Sequence, residues 1–429
     1  MVSDERVLIV GMGYVGLPLA LSFIRGGVSV LGLDIDQSKV DALTEGTSYL
    51  GHIADEDIAQ AVATGRFQAT TDFARCSEVD AVIIAVPTPL TKYRDPDLSY
   101  VTSTCERIAP HLRQGALVIL ESTTSPGTSA EVMKPILEAG SALVVGETLD
   151  LAYSPEREDP GNADFGTQTI PKLVGGYTAA TTKRAVALYE RALDRVIAVD
   201  SMEVAELAKL FENIFRAVNI ALVNELKMVC DRMDIDVWSV IEAAATKPFG
   251  FMKFTPGPGI GGHCIPVDPF YLTWKAREHG LTTRFIELAG QINSGMPRYV
   301  IDRLRIALSE DGKALKDAKI LVLGVAYKPG VDDMRESPSL DVIELLIEGQ
   351  ADVRYHDPFV PELPQMRKHD LRLGGSKELT DTILAEADAV LITTDHDEVD
   401  YARVMQQARL VVDTRNACTK TDPLCLPPS

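Results

Sequence analysis

The chain has no apolar run approaching the ~18–20 residues of a membrane span, no low-complexity tract and no short-period repeat. Those absences remove support for a spanning helix and for helical repeat arrays. It is also poor in positive charge. Against 62 Asp and Glu stand 42 Lys and Arg, a formal net charge of −20. So acidic a chain is repelled by phosphate backbones and anionic lipid, which argues against nucleic acid or membrane as a partner. Any anionic ligand must be met by cations gathered locally. Cysteine is scarce as well: Cys76, Cys105, Cys230, Cys264, Cys418 and Cys425, with no CxxC and no zinc-like spacing. That usage fits a reducing cytoplasm better than a disulfide framework. The opening MVSDERVLIVGMG lacks a basic region followed by a long apolar core, so no signal peptide is expected. These features together predict a cytoplasmic protein.

What is present is a globular composition, 46% apolar and 24% charged over 429 residues, enough for two or three domains. Short runs rich in Val, Ile and Leu, apolar on both faces, predict buried parallel strands at 6–10, 29–34, 81–86, 117–121, 149–153 and 196–199. Helical patterns lie between them, which implies a doubly wound sheet. From about 203 to 233, Val204, Leu207, Phe211, Ile214, Val218, Leu222, Leu226 and Val229 recur at three- and four-residue steps. A helix of that length spans ~45 Å, longer than a small domain, so it reads as a spine joining domains and a candidate dimer interface. Helical patterns continue to about 308. Strand–helix alternation then restarts, with strands predicted at 319–324, 352–355, 389–393 and 410–413, and an irregular tail follows Cys418. The expected fold class is α/β: two doubly wound Rossmann-like domains (1–200 and 311–429) joined by a long central helix and a helical middle domain (201–310).

The first strand runs into Gly11-Met-Gly13-Tyr14-Val15-Gly16. In a strand–loop–helix unit, Gly11 permits the tight turn, Gly13 admits a pyrophosphate against the backbone, and Gly16 lets the helix pack on the strand. The pyrophosphate then rests on the helix N-terminus. Asp34 ends the second strand, where a carboxylate accepts from adenosine ribose hydroxyls and repels a 2′-phosphate. NAD is therefore expected over NADP. Two further strand ends, with Pro87 and Thr88 in VPTP and Thr124 in ESTTSPG, point to the same crevice, because ligands of open α/β sheets bind at the carboxyl ends of the strands. Ordinary turn chemistry also accounts for such Ser, Thr and Pro residues.

Three stretches carry candidate chemistry. YSPERE follows the fifth strand; Glu156 is placed to orient a water or take a proton, and Arg157 to meet an anion, although such a group is also what a solvated turn looks like. On the long helix Lys209 and Asn213 share a face with Glu206 and Arg216, beside the apolar stripe. They suit a substrate oxygen that gains negative charge; an exposed helix face has the same pattern. Residues 256–272, PGPGIGGHCIPVDPFYL, put Cys264 behind four glycines, with Asp268 four residues on. No helix or central strand tolerates that sequence, so it predicts a rigid loop holding one thiol, either a nucleophile or a buried structural cysteine. His263, Cys264 and Asp268 have no recognisable metal-ligand spacing, and no metal is expected.

In order, GMGYVGLP, VPTP, ESTTSPGT, YSPEREDPGN, AELAKLFENIFRAVNIALVNE, GPGIGGHCIPVDP and GVAYKPGVDDMRESPS resemble the UDP-glucose/GDP-mannose dehydrogenase family over essentially the whole chain. YSPEREDPGN and the thiol loop look most like its bacterial and archaeal branch acting on UDP-N-acetylhexosamines. The resemblance implies two successive NAD-linked oxidations of a sugar C6 alcohol. Cys264 is then the nucleophile that forms a thiohemiacetal and a thioester, and Lys209 and Asn213 hold the reacting oxygen, assisted by Asp268. Glu156 and Thr124 serve the hydrolytic water. Tyr14, Val15, Lys39 and Arg335 join the cofactor contacts. Arg157, Gly261 and Lys328 join the contacts to a UDP-sugar, whose nucleotide is held from about Lys319 onward. The resemblance ranks UDP-N-acetylglucosamine first, UDP-N-acetylmannosamine second and UDP-glucose third, and implies a homodimer or higher homo-oligomer. Two other readings stay open: a two-electron hydroxyacid or sugar-phosphate dehydrogenase, which has no need of Cys264, and a non-catalytic dinucleotide sensor, which has no need of the set Lys209, Asn213, Cys264 and Asp268.

Overall fold

The computed structural model describes residues 5–51, 53–91, 95–157, 169–262, 265–364 and 369–418. The chain divides into two compact units, Met1–Glu212 with Phe270–Thr282, and Asn213–Pro269 with Thr283–Ser429.

The first unit is built on an eight-stranded sheet: β1 (Arg6–Val10), β2 (Ser29–Leu33), β3 (Phe67–Thr70), β4 (Ala81–Ile84), β5 (Leu117–Leu120), β6 (Asp150–Tyr153), β7 (Lys172–Gly176) and β8 (Val196–Ala198). Their order is β3-β2-β1-β4-β5-β6-β7-β8. The first six make the doubly wound parallel arrangement that the alternation implied. Along β1, Val7 and Ile9 enter the core on one face of the sheet and Leu8 and Val10 the core on the other. Burial on both faces is why these strands read as continuous apolar runs.

Two differences from the expected strands have physical causes. Several strands end one or two residues early, where Asp34, Val86 and Glu121 enter the loops at the carboxyl edge. The sheet also holds β3 and β7, which were not anticipated. β7 (KLVGG) ends in two glycines. Here they permit close packing: a Cβ on Gly175 would lie 2.1 Å from the Ser201 carbonyl oxygen, and one on Gly176 2.5 Å from the Thr182 nitrogen. β7 runs antiparallel to β6, with Tyr153 opposite Gly175.

The second unit holds a four-stranded parallel sheet, β9 (Lys319–Leu323), β10 (Asp352–His356), β11 (Ala389–Ile392) and β12 (Val411–Asp413), in the order β10-β9-β11-β12. Its helices include Val237–Ala245, Arg284–Glu310 and Pro338–Glu348. The long helix runs Met202–Met233 as one element, one residue longer than expected, and the division between units falls within it. The expected tail after Cys418 lies outside the described residues. Among the described residues no helix is long and apolar enough to cross a membrane.

The long helix buries a mixed face. Val204, Leu207, Phe211, Leu222 and Val229, members of the apolar stripe, are exposed, while the polar Glu206, Lys209 and Asn213 are buried together with Leu210, Ile214 and Ala217.

Candidate active site

The loop after β1 is shaped by its glycines. Gly11 has φ +97°, a conformation that L side chains rarely adopt, and a Cβ there would lie 2.4 Å from the Ala85 carbonyl oxygen. A Cβ on Gly16 would lie 1.9 Å from the Gly11 carbonyl oxygen. Gly13 differs from both: no atom lies within 4 Å of the position its Cβ would take. Its missing side chain therefore serves no internal packing and leaves the backbone open to a ligand, ahead of the helix Gly16–Arg25. Asp34, at the end of β2, accepts from the Met12 N–H (3.0 Å) and the Asp36 N–H (3.0 Å) and pairs with Lys39 at 3.3 Å. Tyr49 donates its hydroxyl to the Met12 carbonyl. A carboxylate fixed beside an open glycine turn fits the ribose and pyrophosphate of NAD. Tyr14 is exposed and Val15 half-buried in the same loop.

The other strand-end loops are stitched to one another. Ser122 Oγ donates to the Val86 carbonyl (2.7 Å), Thr88 Oγ1 to the Thr123 carbonyl (2.7 Å), and Tyr271 Oη to the Thr88 carbonyl (2.5 Å). Thr124 is fully buried between these bonds, whereas Pro87 is exposed. From the long helix, Glu206 accepts from the Gly127 N–H (2.6 Å), the Ser129 N–H (3.0 Å) and Ser129 Oγ (2.8 Å), which anchors the Thr124 loop. Burial pushes the Glu206 carboxyl up to about 7, against these hydrogen bonds.

Beyond β6 lies a buried ionic chain. Lys172 Nζ sits 2.6 Å from Glu121 Oε2 and 3.1 Å from Glu156 Oε2, and Tyr189 Oη donates to Glu121 Oε1 at 2.5 Å. Burial raises the Glu121 carboxyl, against the pull of Lys172. Burial also works against the Lys172 ammonium, but Glu121 and then Glu156 outweigh it and hold it above its ordinary value. Arg157 is engaged by the protein itself: its guanidinium meets Glu212 at 2.7 Å and donates to the Pro171 carbonyl at 2.6 Å. These bonds tie the Glu156 segment to the long helix and to the approach to β7.

In the second unit the structure joins two of the residues singled out from sequence. Asn213 is fully buried and donates through Nδ2 to Asp268 Oδ2, while its Oδ1 accepts from Arg216. Asp268 opens the helix Asp268–Glu278 and is 3% exposed. Lys209 precedes Asn213 by one turn of the long helix and is 5% exposed. His263 and Cys264 lie outside the described residues. The glycines ahead of them pack tightly. Gly257 N–H donates to Asn224 Oδ1 (3.0 Å), and Gly262 N–H to the Arg335 carbonyl (3.1 Å). A Cβ on Gly261 would lie 2.7 Å from Tyr327 Cβ. Asn224 is itself fully buried and donates to Asn293 Oδ1 at 3.0 Å.

The loop after β9 repeats the device found after β1, although it lacks the glycine signature. Gly324 has φ +84°, and Asp357, just past β10, accepts from the Val325 N–H (2.7 Å) and the Ala326 N–H (3.2 Å). Gly330 N–H donates to His396 Nδ1 (3.2 Å), and His396 Nε2 lies 3.1 Å from Asp357 Oδ2. Burial opposes ionisation of Asp357, yet His396 and the backbone donors hold its carboxyl below the ordinary range. Lys328 lies over the Tyr327 ring, 5.6 Å from its centroid, and Arg335 forms a two-point pair with Asp333 (2.6 and 3.0 Å). Sequence reasoning missed Lys172, Tyr271, Asn224, Tyr327 and His396. Asn224, Tyr271 and Tyr327 lie inside the quoted stretches without a chemical pattern of their own, Lys172 and His396 lie outside them, and the partners that reveal Lys172, Tyr271, Asn224 and His396 are distant in the chain.

Models of the UDP-glucose/GDP-mannose dehydrogenase family match the chain three times: the NAD binding domain at residues 5–193, the central domain at 203–295 and the UDP binding domain at 321–420. UDP-N-acetyl-D-mannosamine dehydrogenase of Salmonella typhi is 35% identical over 431 residues, covering 96% of this chain and 99% of that protein. NDP-N-acetyl-D-galactosaminuronic acid dehydrogenase of Ralstonia solanacearum is 34% identical, covering 96% of each. The solved UDP-D-ManNAc dehydrogenase of Pyrococcus horikoshii superposes with a TM-score of 0.87 at 32% identity, covering 96% of each chain.

Proposed function

The chain belongs to the UDP-glucose/GDP-mannose dehydrogenase family and is an NAD-dependent nucleotide-sugar dehydrogenase, and on that premise we propose that it oxidises the C6 alcohol of a UDP-N-acetylhexosamine to the carboxylate, consuming two NAD. The observation that carries this reading is the buried pairing of Asp268 with Asn213, which lies one turn beyond Lys209 on the long helix, in a chain whose thiol loop supplies Cys264. The ranking from sequence put UDP-N-acetylglucosamine first. The relatives named above act on N-acetylmannosamine and N-acetylgalactosamine derivatives, so we place UDP-N-acetylmannosamine ahead of it.

NAD, when bound, accepts the hydride lost from C6 in each oxidation. Gly11, Gly13, Gly16 and Asp34 hold its adenosine and pyrophosphate. Lys209 and Asn213 steady the C6 oxygen as it gains negative charge, and Asp268 fixes the Asn213 amide. The first oxidation leaves an aldehyde. The Cys264 thiolate adds to its carbonyl carbon, and the resulting thiohemiacetal loses the second hydride to become a thioester. Water, oriented by Glu156 and the buried Thr124 loop, attacks the thioester carbonyl, giving a proton to Glu156 and releasing the Cys264 sulfur and the sugar carboxylate. Lys328 and the loop after β9 contribute to holding the nucleotide, in line with the family's UDP binding domain. The exposed face of Val204, Leu207, Phe211, Phe215, Leu222 and Val229 supports a homo-oligomer.

The test is NADH and uronate measured together under limiting sugar, over a panel of UDP-sugars. We expect two NADH per uronate, no free aldehyde and the highest kcat/KM with an acetamido sugar. Cys264→Ser should bring turnover close to nil, since a serine hydroxyl is a far weaker nucleophile than a thiolate. A ratio of one with aldehyde accumulating refutes the four-electron reading.

A further inference from the structure

The ionic chain behind Glu156 is placed by topology. β5 and β6 are parallel, so Glu121 and Glu156 both emerge at the carboxyl edge of the sheet. β7 is antiparallel to β6, and its first residue therefore lies at the edge where β6 ends. That residue is Lys172, 4% exposed, and its ammonium reaches both carboxylates at once. The inner end is closed by Tyr189, whose hydroxyl donates to Glu121. At the outer end Glu156 is held at both oxygens, Oε2 by Lys172 and Oε1 by the Arg157 N–H at 2.7 Å. Among the described residues, two further charged groups at this end, Arg157 and Glu212, are paired with each other.

We propose that Lys172 is a positioning residue for Glu156, fixing the orientation of its carboxylate and its readiness to take a proton, with Glu121 as the buried counterweight that sets how strongly Lys172 acts. One ammonium is shared by two carboxylates. A full share of its charge would make Glu156 a weaker base, and no share would leave its carboxylate less firmly oriented toward water. Glu121 is fully enclosed and cannot reach substrate, so its part is to divide that charge. The inference rests on the reading of Glu156 as the group that serves the hydrolytic water.

Two variants separate the electrostatic role from a structural one, because they shift the reaction in opposite directions. Glu121→Gln keeps the shape and the Tyr189 contact but leaves Lys172 to Glu156 alone. The acid limb of the hydrolytic step should move down in pH. Lys172→Met combined with Glu121→Gln removes both inner charges and leaves no buried ion without a partner. The acid limb should then move up by about one pH unit or more, the size of effect an adjacent opposite charge exerts. Below the acid limb, intact-protein mass spectrometry should find thioester-bound enzyme accumulating up to about tenfold over wild type, with the KM for NAD unchanged. Circular dichroism and thermal melts establish that each variant is folded. Acid limbs unmoved in folded variants, or moved in the same direction in both, overturn the proposal; should the double variant not fold, the downward shift in Glu121→Gln decides. Glu156→Gln tests the underlying reading separately. If it accumulates no thioester, Glu156 does not serve the water. If it does accumulate thioester while the inner variants behave as wild type, only the role of Lys172 is refuted.

Discussion

Gly13→Ala is the substitution that best distinguishes a cofactor cradle from a packing turn. The methyl group meets no atom within 4 Å and φ lies outside the left-handed region, so the protein without ligand accommodates it. Replacing Gly with Ala at a compatible site stabilises a fold by about 0.4–1 kcal/mol, chiefly by restricting the unfolded chain. The same methyl occupies the space a pyrophosphate needs, and overpacking of that kind costs about 1–3 kcal/mol, which weakens NAD roughly 5- to 150-fold. At a concentration of ~100 times the wild-type Kd, NAD stabilises wild type by about 2.7 kcal/mol; if Kd is weakened ~30-fold the gain falls to about 0.9 kcal/mol. The assay is thermal unfolding with and without NAD, supported by calorimetric titration. Gly13→Ala should melt at or slightly above the wild-type temperature alone and lose most of its NAD-induced shift. Gly11→Ala and Gly16→Ala should lower the melting temperature without ligand, since their methyl groups would lie 2.4 and 1.9 Å from carbonyl oxygens. A Gly13→Ala variant that keeps the full NAD-induced shift would refute the placement of the pyrophosphate, and one that melts early would show that Gly13 serves packing.

Two further expectations follow from the same unit. Asp34→Ser should reduce a preference for NAD over NADP of at least ~10-fold, because it removes the charge that repels a 2′-phosphate and leaves Lys39 to receive it; an unchanged kcat/KM ratio for the two cofactors refutes this. Glu206, raised from 4.5 to about 7 by burial, binds its proton more tightly in the folded state, so its contribution to stability falls as pH rises from about 4.5 through about 7 and is flat beyond. Glu206→Gln removes that dependence, and relative to wild type the variant should gain about 3 kcal/mol between pH 4.5 and 7.5; parallel stability–pH curves from denaturant unfolding refute the assignment.

The sequence by itself determined whatever depends on short-range geometry or on burial along a single element. The glycine turn at 11–16 and Asp34 were legible because the backbone demands of a strand–turn–helix act within a few residues. The parallel strands were legible because burial on both faces removes polar residues from them. The i, i+4 spacing placed Lys209 and Asn213 on one helical face. Tertiary structure decided which face of that helix is buried: it took in Glu206, Lys209 and Asn213 and left Phe211 and Leu222 outside, since a polar face is buried only where partners such as the Ser129 and Asp268 side chains come from elsewhere in the chain. It also decided the ionic chain through Lys172. Glu121, Glu156 and Lys172 are far apart in sequence, and only the reversal of β7 against β6 brings the ammonium to the edge where both carboxylates emerge. Strand direction is a property of the whole sheet, and no local pattern around Lys172 encodes it.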